Sequence, residues 1–250
     1  MKNIQVLKPK YRVEECLSEI KECLDIGWTG MGYKTIEFED RWKTYTSLNH
    51  AHFLSSASVG LHLAVKILKE KYNWHDGDEV ITTPFTFVST NHSILYENLK
   101  PCFADIDDSL NLDPQSVKDK INKNTKAIIF VGIGGNTKNL IEIIQIAKNN
   151  NIKVILDAAH MAGSKINGQH VGFDVDVSVF SFQAVKNLPT ADGGMICFNN
   201  AEDDKKAREL AWLGINKDTF SRSNEGSYKW DYSVDQIGYK YHGNSIMAAL

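Results

Sequence analysis

The run VFSFQAVKNLPTADGG, Val179 to Gly194, reads as an apolar strand that ends toward Lys186 and then turns through Pro189 and two glycines. A lysine ammonium is strongly hydrated and seldom buried without a partner, so an amine delivered by the end of a core strand is a candidate nucleophile or base. A second apolar run, IKVILDA, brings Asp157 to its end, and His160 follows three residues later. LSSASVGLHLAV sets small hydroxyl residues and free amides, Ser58 and Val59 among them, at the head of an amphipathic segment, which suits an anion. PFTFVST places Phe85 and Phe87 after another strand, while Ser181 and Gln183 precede Lys186. Taken singly, these are a cap, a turn, core aromatics and a solvated lysine. Together they match the needs of pyridoxal 5′-phosphate: an amine for a Schiff base, a carboxylate for the pyridine nitrogen, donors for a phosphate and an apolar cover for the ring.

The elements that must hold these residues follow from periodicity. Strand patterns occur at 51–56, 79–84, 101–106, 126–132, 152–158, 177–182 and 194–199. Between the earlier ones, the segments 61–72, 90–98, 112–121 and 139–150 repeat apolar residues every three or four positions. This alternation predicts an α/β fold around a mostly parallel central sheet with helices on both faces. Ligands then gather at the carboxyl ends of the strands, where Asp157 and Lys186 lie. Asp113-Pro114 reads as an N-cap followed by proline at the first helical position. Two amphipathic segments, 12–27 and 33–48, precede the sheet, and GWTGMG (27–32) between them is expected to be a mobile connector. Residues 201–214 read as a helix, 216–232 as an extended loop, and GNSIMAAL as an unfinished helix.

The 250-residue chain has a formal net charge of −3 with scattered basic residues, so it offers no nucleic-acid footprint. No apolar stretch approaches the ~18 residues of a membrane span, and the N-terminus lacks a signal-peptide pattern. Cys16 and Cys23 are about 10 Å apart along a helix, beyond disulfide reach, and no Cys/His spacing suggests a metal. A reduced, cytoplasmic protein is expected.

These residues resemble the DegT-type family of nucleotide-sugar aminotransferases, within the fold-type I pyridoxal-phosphate enzymes. The resemblance spans nearly the whole chain and is most specific at GDEVITTPFTFVSTNHSI (77–94), LDAAHMAGSKINGQHVG (156–172) and DVSVFSFQAVKNLPTADGGMI (176–196), with a weaker match at GYKYHGNSIMAAL (238–250). It implies that Lys186 bonds the cofactor, Asp157 pairs with the pyridine nitrogen, Phe87 stacks on the ring and His160 lies near the ring face and its phenolic oxygen. Ser58, the amide of Val59 and Ser181 would hold the phosphate, with Gln183 orienting its neighbours. Lys240 stands where relatives carry asparagine that reaches the partner subunit's cofactor phosphate, and His242 replaces an arginine. The phosphate turn reads Ala57-Ser58 in place of glycine-threonine. By this resemblance, residues 1–32 form a helical arm and 33–250 the large cofactor domain, with the C-terminal small domain missing. A homodimer, glutamate as amino donor and a nucleotide-linked keto sugar as acceptor are implied as well.

Two other readings stand beside this one. The run FVGIGGNTKNL (130–140) resembles a dinucleotide turn of an NAD-dependent oxidoreductase, but it lacks the G-x-G-x-x-G spacing. A catalytically impaired, truncated family member is the other, because relatives continue past the point where this chain stops.

Overall fold

The computed structural model describes residues 8–216, 220 and 232–250. Its strands are β1 (His50–Leu54), β2 (Glu79–Thr82), β3 (Lys100–Phe103), β4 (Thr125–Val131), β5 (Lys153–Ala158), β6 (Lys165–Ile166), β7 (Gln169–His170), β8 (Val177–Ser181) and β9 (Gly194–Phe198). Seven of them make one sheet in the order β1-β9-β8-β5-β4-β2-β3, while β6 and β7 pair separately. Only β9 runs antiparallel to its neighbours in that sheet.

The side-chain alternation of each strand divides the core in two. Ile128, Phe130, Val154, Leu156 and Phe180 face one layer, where α2 (Tyr33–Thr46) contributes Trp42, α5 (Pro114–Lys120) Val117 and α6 (Leu140–Asn149) Ile143. Ala127, Ile129, Ile155, Val177 and Val179 face the other, where α3 (Ala57–Lys71) contributes Leu61, α4 (Val88–Tyr96) Ile94 and α7 (Ala201–Ala211) Leu210. Burial on both faces explains why the central strands read as unbroken apolar runs. The expected α/β architecture is therefore present.

Two expectations are corrected. Helix α3 begins at Ala57, four residues before the apolar period becomes visible, because the Ser56 hydroxyl accepts from the Val59 amide at 3.4 Å and caps it. The connector 27–32 is tied down rather than free. Trp28 Nε1 donates to Met31 O at 2.9 Å, and Ser245 donates from its amide to Gly30 O at 2.9 Å and from its hydroxyl at 2.7 Å. Ser245 opens α8 (Ser245–Ala249), which also meets α1 (Val13–Ile26) through Cys23 Sγ and the Ser245 carbonyl. Asp113 caps α5 as expected, accepting from Gln115 N at 3.0 Å. The loop expected over 216–232 lies outside the described residues except for positions 216, 220 and 232.

The outer edge of β1 is covered. Arg208 donates to Ala51 O at 2.7 Å, Glu39 accepts from Phe53 N at 2.8 Å, Gly243 N donates to Phe53 O at 3.2 Å, and Ser55 N donates to Tyr241 O at 2.7 Å. Glu39 is buried and also meets His52 Nδ1 and Arg208, both at 2.9 Å. Burial alone would raise its pKa, but His52, Arg208 and the Phe53 amide hold the carboxyl below its ordinary value. The opposite edge strand, β3, is four residues long and contains Lys100 and Pro101.

Candidate active site

The strand alternation that builds the core also aims the chemistry. In β5, Ile155 faces the α3/α4 layer, so Asp157 two residues on faces the same way. There it is 4% exposed, and both oxygens are engaged: Oδ2 accepts from Thr90 Oγ1 at 2.7 Å and Oδ1 from Ala159 N at 3.1 Å. In β8, Val177 and Val179 face that layer too, and Ser181 continues the row. Ser181 is in register with Gly194, which is in register with Leu54 at the end of β1. A Cβ on Gly194 would stand 2.4 Å from the Ala57 amide nitrogen, so only glycine lets β9 pass this close to the first turn of α3. Ser181 and the amides of Ala57, Ser58 and Val59, the last of them shared with the Ser56 hydroxyl, thus share one face across the narrowest residue of the sheet. An N-terminal helical turn beside a hydroxyl is an anion cradle, and the first turn of α3 holds no acid to compete.

Lys186 follows β8 on a loop pinned at several points. Thr190 N donates to Phe182 O at 2.7 Å, Phe182 N to Gly193 O at 2.9 Å, and Lys186 N to Gln183 O at 2.8 Å. Asn187 Nδ2 donates to Ala162 O at 2.7 Å, which draws the lysine toward the turn carrying His160. Lys186, Asp157 and His160 are close enough to act on one another's charge. Burial lowers the Lys186 pKa and the Asp157 carboxylate partly restores it. Burial raises the Asp157 pKa, opposed by Thr90, the Ala159 amide, His160 and Lys186. His160 is lowered by burial and then by the Lys186 charge. A half-buried amine shifted toward its neutral form, beside a deeply buried carboxylate, is the pattern of a reactive site.

Gly134 N donates to His160 Nδ1 at 3.2 Å, which leaves the proton of the neutral ring on Nε2. This disposes of the dinucleotide reading of GIGGN: its amide serves a histidine, and four residues, 136–139, separate the turn at Ile133–Gly135 from α6. His160, Gly134, Ser164, Lys186 and Asn187 line a cleft of about 500 Å³. A larger cleft of about 630 Å³ lies at the opposite, amino-terminal edge of the sheet, lined by Lys123, Lys126 and Lys153. Two of these are already paired, Lys126 with Asp78 at 3.7 Å and Lys153 with Asp176 at 3.1 Å.

Of the other expected residues, Phe87 caps α4 with its ring 75% exposed, one helical turn ahead of the Thr90 that holds Asp157. Phe85 is exposed beside it. Ser58 is exposed and Val59 half-buried in the first turn of α3. Gln183 is exposed, and its Oε1 accepts from Val185 N at 3.1 Å. Lys240 is not brought to this set within the chain: its ammonium lies 3.3 Å above the Trp212 ring, with its pKa lowered by burial. Sequence reasoning missed Thr90, Gly134 and Asn187. The helical step from Phe87 to Thr90 was the available signal for the first; the other two act through loop backbone that carries no pattern.

The residues fit pyridoxal phosphate by this structure's own features: a buried carboxylate with no cation hydrogen-bonded to it among the described contacts, a cradle that a Cβ would fill, and an amine close enough to the carboxylate to feel its charge. Comparison with known proteins agrees. The profile of the DegT/DnrJ/EryC1/StrS aminotransferase family matches residues 10–250. The spore coat polysaccharide biosynthesis protein SpsC of Bacillus subtilis is 36% identical over 239 residues, covering 95% of this chain and 60% of that protein. The UDP-4-amino-4-deoxy-L-arabinose–oxoglutarate aminotransferase of Shewanella sediminis is 35% identical, with coverage of 95% and 60%. The PLP form of Spr1654 from Streptococcus pneumoniae superposes with a TM-score of 0.86 at 28% identity, over 99% of this chain and 64% of that one. The chain thus spans about 60% of the length of the curated relatives it matches. By a profile match over almost its whole length, this chain belongs to the DegT/DnrJ/EryC1/StrS aminotransferase family.

Proposed function

We propose that this chain carries the cofactor-binding core of a pyridoxal-phosphate-dependent aminotransferase that moves an amino group from glutamate to a keto group of a nucleotide-linked sugar. The observation that carries the reading is the buried Asp157 carboxylate at the end of β5, on the sheet face that also bears Ser181 and the first turn of α3, with Lys186 on the loop that follows β8. The Shewanella relative is named for oxoglutarate and a UDP-linked sugar, which supports the donor pair and the acceptor class.

When bound, the cofactor supplies an electron sink for negative charge developing at the substrate carbon. The chain's own residues do the rest. Lys186, shifted toward its neutral amine, would be the residue that holds the cofactor and would carry the proton moved at that carbon. Asp157 keeps a proton on the pyridine nitrogen. Ser58, the Val59 amide and Ser181 hold the phosphate, Phe87 covers the ring, His160 donates from Nε2 near the phenolic oxygen, and Gln183 steadies the turn before Lys186. A second copy completes the site by directing Lys240 at the partner's phosphate. Residues 1–32 act as a helical arm and 33–250 as the cofactor domain. The four free cysteines fit a reducing, cytoplasmic setting.

Borohydride treatment of the protein with pyridoxal phosphate, followed by peptide mass spectrometry, is expected to place the cofactor on Lys186. Lys186→Ala is expected to lower aminotransfer at least about 10⁴-fold with an unchanged circular dichroism spectrum. Turnover retained in that variant overturns the assignment.

A further inference from the structure

We propose that Thr90 is a positioning residue that acts through Asp157: the hydroxyls of Thr86 and Thr90 form a directed chain that fixes the carboxylate as a pure acceptor, ready for a cationic partner. The proposal rests on the reading of Asp157 as the group that meets the cofactor's ring nitrogen.

The direction of the chain follows from counting protons. Thr90 Oγ1 is 2.7 Å from Asp157 Oδ2 and 2.9 Å from Thr86 Oγ1. A hydroxyl has one proton to give, and an ionised carboxylate only accepts. With Asp157 ionised, Thr90 donates to it, and Thr86 donates to Thr90. The second carboxylate oxygen accepts from the Ala159 amide at 3.1 Å, so both oxygens face donors and neither is left to hold a proton of its own. Thr90 is fully buried, and its backbone is fixed as well: its amide donates to Phe87 O at 3.1 Å and its carbonyl accepts from Ser93 Oγ at 2.7 Å. The charged groups that face Asp157 are His160 and Lys186, from the turn after β5 and the loop after β8. Neither forms a hydrogen bond to it among the described contacts, which leaves Thr90 as the side chain that sets its orientation.

The arrangement has a consequence for α4. Phe87 caps this helix and Thr90 lies one turn in, so a single rigid segment sets both the aromatic cover and the carboxylate beneath it. Any shift of the helix moves the two together.

The test uses the full chain without cofactor, with its carboxyl groups labelled for carbon NMR and Asp157 assigned by comparison with Asp157→Asn. Thr90→Val, which keeps the shape and removes the donor, is expected to move the Asp157 titration midpoint upward, and Thr90→Ser to restore it. Thr86→Val, at a half-buried position, is expected to shift it the same way by less. In the loaded protein, Thr90→Val is expected to weaken cofactor retention about tenfold. A Thr90→Val midpoint equal to wild type, or a Thr90→Ser midpoint equal to that of Thr90→Val, overturns the proposal. If Thr90→Val does not fold, a wild-type midpoint in Thr86→Val overturns the hydroxyl chain. Failure of the cofactor reading shows separately, as wild-type protein that binds no pyridoxal phosphate while its carboxyl titration still reports on Thr90.

Discussion

Asp157 sits uncomfortably in the chain without cofactor. Its carboxyl is 4% exposed, and burial raises its pKa above the value it has when unfolded. For such a group the stabilising contribution is complete below the unfolded value and is lost as pH rises through the folded one. At neutral pH the buried carboxyl therefore weighs against the fold. Asp157→Asn removes that burden without breaking the local network, because the amide nitrogen can donate to Thr90 while the oxygen still accepts from Ala159. Calorimetry of the cofactor-free protein at neutral pH is expected to show a melting temperature about 3 °C higher in Asp157→Asn, with the gap closing on acidification. The same variant loses cofactor affinity, the usual opposition between stability and an active site. A lower melting temperature in the variant contradicts this account.

At the scale of elements, the close approach of β9 to α3 is the joint on which the anion cradle depends. Gly194→Ala forces a methyl group to 2.4 Å from the Ala57 amide and must push the first turn of α3 outward. The expected effect is a stability loss of about 1–3 kcal/mol, read by denaturant unfolding, with weakened phosphate retention. Unchanged binding of pyridoxal phosphate by Gly194→Ala contradicts the placement of the cradle. How far these elements were legible depends on what signal each one carries. All seven strands of the large sheet were legible as short, mostly apolar runs between helical periods, and Asp157 and Lys186 could be singled out because strand ends in parallel sheets face ligands. The start of α3 was not legible, since ASVG is too small to show an apolar period and its cap is a single serine. Thr90 reads as an ordinary residue of a first helical turn until β5 is placed beneath it. The seat of Lys240 on Trp212 was also out of reach, because the indole comes from the end of α7, twenty-eight positions earlier in the chain.

At the scale of the whole molecule, apolar side chains remain on the outside of two helices. Val13, Leu17, Leu24 and Ile26 of α1, and Val88, Leu95 and Tyr96 of α4, are all more than half exposed. Surfaces of this kind favour association, in line with the homodimer proposed above. Sedimentation velocity at micromolar concentration is expected to give a two-copy species, and a monomer across the accessible range contradicts it. No helix among the described residues is long and apolar enough to cross a membrane.

The guarded borders of the large sheet narrow how copies can meet. Along β1, a guanidinium, a carboxylate and the 241–243 backbone occupy the outward donors and acceptors, and on the far side β3 is short and broken by Pro101. Neither border of this sheet offers a ladder on which a foreign strand could zip. Self-association is steered away from the sheet borders and toward surfaces such as the apolar outer faces of α1 and α4.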